Sequence, residues 1–193
     1  MVQSRRAWFS VVAALAGGFW HPVHGRQGGL DQFGGATPDC APNRDLTPAL
    51  PADGTFRAGS PERTSLAEAG APGQRFVLSG TVSGVTCGRI KGATVDAWQP
   101  DPSGRYDMTG YRYRGHVVTD AEGKYRIVTV VPGAPAGRAK HIGLRVTVPG
   151  KLEFSTEAFF PDDPQNTRDA RFKPELLIKK TVDGGTFDIS LNL

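Results

Sequence analysis

Arg138 and His141 stand three positions apart, where a Pro/Gly-rich loop beginning at Pro132 runs into a strand that ends near Pro149. In Ile142, Leu144, Val146 and Val148 every second residue is apolar, the period of a half-buried strand. His141 therefore sits at the loop–strand junction on the opposite face, which it shares with position 143. Two side chains two residues apart on one strand face can clamp a metal, but position 143 is Gly and half of that clamp is missing. Outside the N-terminal leader the chain has only two histidines, His116 and His141, so a site with three histidines from one chain is excluded. Tyr106 leaves the turn PDPSG (100–104), and by composition it is either a packed loop tyrosine or a ligand. Tyr111, Tyr113 and His116 are spare candidates, although YRYRGH (111–116) reads as readily as an alternating strand with solvated arginines.

Short strands surround these residues. RFVLSGTV (75–82) is the first firm one, and ATVDAWQ (93–99) alternates cleanly. Further strands are expected at 116–119, 125–131, 142–148, 154–160, 176–182 and 186–193, with Asp183-Gly184-Gly185 as a hairpin signal. Gly (25) and Pro (15) are abundant and no long stretch has helical periodicity, so tight turns joining strands dominate. The expected fold is all-β: an antiparallel β-sandwich of about eight strands over 73–193, preceded by an irregular N-terminal arm at 26–72.

The 193 residues suffice for one ordinary domain and an appendage. The net charge of +4 comes from scattered basic residues paired with acids, without the basic stripe that a nucleic-acid partner needs. Residues 1–25 read as a secretory signal: a charged start (MVQSRR), an apolar run and a small residue, Gly25. The Arg5–Arg6 pair fits a twin-arginine signal, with an ordinary secretion signal as the alternative. The apolar run is too short and Gly-rich to span a bilayer, so the expected location is periplasmic or extracellular, with no membrane contact after cleavage. In an oxidising compartment the two cysteines, Cys40 and Cys87, most simply form one disulfide that staples the arm to the body, worth ~3 kcal/mol. Two buried free thiols are the alternative.

GATVDAWQPDPSGRY (92–106), VVTDAEGKYRIVTVVPG (117–133), GRAKHI (137–142) and STEAFFPDDP (155–164) together resemble the intradiol ring-cleavage dioxygenases, in that family's order and spacing. TPALPADGTF (47–56) resembles the lead-in of secreted members. The resemblance implies a non-haem Fe(III) held by two tyrosines and two histidines, ligands that suit a hard cation, and cleavage of a catechol with O2. It also leaves oligomerisation open. Carried over residue by residue, it places metal ligands on Tyr106 and His141 and a charge-stabilising arginine on Arg138. The second tyrosine falls on Pro135, the second histidine on Gly143, and a pocket glutamine on Glu157. One way to rescue the site is for Glu157 to act as a third, carboxylate ligand beside Tyr106 and His141; another reading pairs it with Arg138. Three functions follow: a dioxygenase with an altered metal site acting on a small aromatic, a metal-free module binding an aromatic or other small ligand, and a non-oxidative acid–base enzyme in the same pocket.

Overall fold

The computed structural model describes residues 45–85 and 88–193, and every absence noted below refers to these residues. The leader, the beginning of the arm and the expected Cys40–Cys87 pair lie outside them. Among the described residues nine strands follow the arm: β1 (Arg75–Gly84), β2 (Thr94–Trp98), β3 (Arg114–Val118), β4 (Lys124–Val130), β5 (His141–Val148), β6 (Leu152–Phe159), β7 (Lys179–Thr181), β8 (Gly184–Thr186) and β9 (Ile189–Leu191). They form two sheets, β3-β2-β5-β6 and β4-β1-β8-β7, with β9 pairing to β1. No helix among the described residues is long and apolar enough to cross a membrane.

The expected sandwich is present. On β5 the face bearing Ile142, Leu144, Val146 and Val148 is buried throughout, as the alternation requires. These residues join Val95 and Ala97 of β2, Leu78 and Val82 of β1, and Ile127 of β4 in one hydrophobic core. Each of the Val, Leu and Ile side chains among them, fully buried, contributes roughly 1.5–3 kcal/mol.

The C-terminal end departs from expectation. Pro174–Leu176 forms a 3-10 turn, because proline starts such a turn readily and donates nothing to a ladder. The stretch 186–193 is divided between β8 and β9, which both run parallel to β1. The hairpin between β7 and β8 turns at Val182 and Asp183, while Gly184 and Gly185 lie in the strand. A Cβ on Gly184 would stand 2.1 Å from the Val77 carbonyl oxygen, so here glycine serves close packing rather than a turn.

The described part of the arm has no strand of its own. Single bridges tie Glu62 to His116 and Ser65 to Val128, and the Leu50 amide donates to the Ser155 carbonyl at 2.9 Å. Leu66 is fully buried in the core. The arm thus runs along sheet edges, pairing backbone groups that would otherwise be open.

Candidate functional site

The turn before Tyr106 is held by Asp101. Its Oδ1 accepts from the Ser103 amide (2.8 Å), the Ser103 hydroxyl (2.6 Å) and the Arg105 amide (3.1 Å). Such capture of nearby donors is what Asp contributes to turns. Gly104, at φ +85, lets this turn meet the loop before β5: a Cβ there would stand 2.4 Å from the Ala134 carbonyl oxygen.

Tyr106 thereby reaches the start of β5, with its hydroxyl 2.9 Å from His141 Nε2. His141 Nδ1 is 2.7 Å from the Ala139 carbonyl oxygen, which can only accept. Nδ1 therefore carries the imidazole proton, and Tyr106 donates to Nε2. Burial lowers the His141 pKa below the ordinary imidazole value, outweighing the attraction of Glu157. Burial, aided by the Asp53 and Glu157 carboxylates, raises the Tyr106 phenol well above its usual range. Both shifts favour uncharged partners. The phenol releases a proton reluctantly and the imidazole takes one reluctantly, which weighs against acid–base catalysis by this pair.

Arg138 lies among three carboxylates: Glu157 at 2.5 Å, Asp169 at 2.9 Å and Asp53 at 3.6 Å. Glu157 is buried, and its other oxygen accepts from Arg171 Nε at 2.9 Å. Both Glu157 oxygens are thus engaged by guanidinium groups, and the sequence-level pairing of Glu157 with Arg138 is present. Burial pushes the Asp169 carboxyl up, but the Ala139 and Arg171 amides and Arg138 outweigh it and hold it below the usual range.

The missing half of the strand clamp is filled. Gly143 pairs across the sheet with Trp98 on one side and Glu157 on the other. A Cβ on Gly143 would stand 2.2 Å from Trp98 Cε2 and 2.5 Å from Cζ2. The indole is fixed in that place: its Nε1 donates to Thr55 Oγ1 at 3.0 Å, and its ring meets Phe56 edge-on at 5.0 Å.

Residues 51–56 of the arm close the cluster. Arg171 donates to the Pro51 carbonyl (2.7 Å) and Arg114 to the Thr55 carbonyl (2.5 Å), while Asp53 meets Arg138. Tyr106, Arg138, His141 and Glu157 are therefore brought together, as the sequence implied. Asp53, Thr55, Trp98, Asp169 and Arg171 were not singled out there; the first three lie in the resembling segments 47–56 and 92–106, whereas Asp169 and Arg171 lie beyond the last such segment and carry no sequence signal. The spare candidates lie elsewhere: the Tyr111 hydroxyl donates to the Ala58 carbonyl, Tyr113 is buried, and His116 Nδ1 meets the Ser60 carbonyl.

A family model described as "Dioxygenase" matches residues 55–182, more than half of the chain. The dioxygenase domain of a dioxygenase–carbohydrate-binding fusion protein from Streptomyces sp. SirexAA-E is 40% identical, with a TM-score of 0.73 over 77% of this chain and 99% of that one. This chain belongs to the intradiol ring-cleavage dioxygenase family. An intradiol ring-cleavage dioxygenase from Tetranychus urticae, 24% identical, shares the fold with a TM-score of 0.71 over 77% of this chain and 95% of that one. A chlorocatechol 1,2-dioxygenase from Pseudomonas putida is 25% identical over 61% of this chain and 55% of its own length. A hydroxyquinol 1,2-dioxygenase from Rhodococcus opacus is 31% identical over 51% of this chain and 40% of its own. The chain thus spans about half the length of the curated relatives it matches.

The family's usual Fe(III) can be tested against the donors present. Tyr106 and His141 converge, but Pro135 and Gly143 offer no side-chain donor, and Trp98 occupies the space beside Gly143. Glu157 would have to leave two guanidinium groups whose charge itself opposes a cation. No three His, Cys, Asp or Glu side chains among the described residues are grouped to hold a metal. These residues do not fit the family's four-ligand iron centre.

Proposed function

We propose that this chain is an exported member of the intradiol dioxygenase family that binds a catechol-type aromatic at the Tyr106–Arg138–His141 cluster without assembling the family's ferric centre. The observation that carries this reading is the Trp98 indole lying where a side chain on residue 143 would have to stand. Family membership supports an aromatic ligand, and a phenol, an imidazole and a partly exposed guanidinium are groups that orient a ring bearing two hydroxyls. Export rests on the leader at 1–25.

A second reading, ring cleavage with O2 at an iron held by Tyr106 and His141, has one observation in its favour. Tyr106 and His141 converge, with the phenol oxygen 2.9 Å from Nε2, and would together offer an iron two of the family's four donors. One preparation separates the readings. Protein isolated from its export compartment is assayed for iron and visible colour, for catechol binding by calorimetry, and for O2 uptake. Far less than one iron per chain, no colour from iron-bound tyrosinate, and catechol bound without O2 uptake are expected. Stoichiometric iron with catechol-dependent O2 uptake would establish the second reading and remove the first.

A further inference from the structure

Arg138 makes three ion pairs, and they are unequal. Glu157 and Asp169 are close, at 2.5 and 2.9 Å, and their side chains are 3% and 1% exposed. Asp53 stands off at 3.6 Å with its side chain 26% exposed. Arg171, 27% exposed, neutralises the other side of Glu157. Three carboxylates thus face two guanidinium groups, and the excess negative charge lies at the solvent side, on Asp53. The next cation, Arg114, donates to the carbonyls of Thr55 and Asp107, and the Asp107 carboxylate counters most of its charge, with a smaller share from Asp53.

Asp53 is also held firmly. Its Oδ1 accepts from the Thr55 amide at 3.0 Å and from the Thr55 hydroxyl, and that hydroxyl in turn accepts from Trp98. Burial pushes the Asp53 carboxyl up, but these hydrogen bonds outweigh it, and the net displacement is below the usual carboxylate range. The group is therefore ionised at neutral pH.

We infer that Asp53 sets the charge specificity of the site, covering the outer side of Arg138 so that an uncharged dihydroxybenzene is accepted and a carboxylated one is refused. The inference rests on the aromatic-binding reading above. A ligand carboxylate that sought Arg138 would have to displace or approach Asp53, and the repulsion between like charges weakens its binding. A neutral ring meets no such opposition.

The test compares the full exported protein with its Asp53→Asn and Asp53→Glu variants, titrated by calorimetry at pH 7 with catechol and with 3,4-dihydroxybenzoate. The native protein should prefer catechol by ~10-fold or more. Asp53→Asn, similar in shape, should shift the ratio of the two affinities towards 3,4-dihydroxybenzoate by ~10-fold, while Asp53→Glu restores the native preference. Catechol bound by all three proteins with an unchanged preference would overturn the role of Asp53 alone. No binding of either compound by any of them would overturn the aromatic-binding reading, and this inference with it.

Discussion

At the scale of single residues, the site is defined by what Trp98 does to position 143. A glycine on an inner strand is costly in backbone freedom, and here the cost is offset because only glycine leaves room for the indole. Gly143→His would restore the residue type the family resemblance implies, yet its Cβ would overlap a ring fixed by Thr55 and Phe56. The expected result is a loss of at least ~2 kcal/mol of stability, as for other overpacked cores. It is measured from the urea midpoint at constant slope. Adding Trp98→Ala should recover part of that loss, so the pair would be non-additive in a double-mutant cycle. A fully stable Gly143→His single variant would show that the indole is not held as described. Glu157 illustrates the same point: its exchange for the expected glutamine makes sense only beside Arg171.

At the scale of elements, the arm segment 51–56 behaves as a strap fastened by side chains rather than by a ladder. Its contacts are Arg171 to Pro51, Arg138 to Asp53, Arg114 and Trp98 to Thr55, and the Arg145 guanidinium 4.7 Å from the Phe56 ring centre. The one neutral hydrogen bond, Trp98 to Thr55, is worth about 0.5–1.5 kcal/mol, and the contacts from partly exposed guanidinium groups are of similar modest size once solvent screens them. Trp98→Phe removes one fastening while keeping an aromatic ring. Hydrogen exchange followed by mass spectrometry should show faster exchange at 51–57, with the amides of β1 and β5 unchanged. Uniform acceleration across the sheets would mean that Trp98 supports the core as a whole and not this strap.

At the scale of the whole molecule, stability should follow the buried ionisable groups. The folded His141 pKa lies below the ordinary value of 6.5, so the unfolded chain binds more protons near that pH. Its contribution is therefore complete above pH 6.5 and lost as pH falls towards the lowered folded value. The folded pKa values of Asp53, Asp101 and Asp169 are depressed below 3.8, so their contributions are present above that pH and lost in stronger acid. Denaturant midpoints measured from pH 8 to about pH 2 should thus fall in two stages. In a His141→Gln variant the first stage should be reduced and the second kept. An identical pH profile in that variant would remove His141 as its source.

Much of this protein was decided along the chain. Alternation from Ile142 to Val148 requires a half-buried strand, turn residues at near-regular intervals require a sandwich, and the segments at 92–106 and 137–142 carry Tyr106, Arg138 and His141 in the order that marks their family. Those are local properties, since period, turn chemistry and spacing act between near neighbours. The sequence also shows that Gly143 cannot be a ligand, but not what fills its place. That answer depends on side chains far apart in sequence and adjacent only after folding: Trp98 across β2–β5, Glu157 across β5–β6, Asp53 and Thr55 from the arm, and Asp169 and Arg171 from the turn beyond β6. Close packing and ion pairing between distant segments arise only once the sheets are closed, and they turned an incomplete metal clamp into a filled, ion-paired cluster.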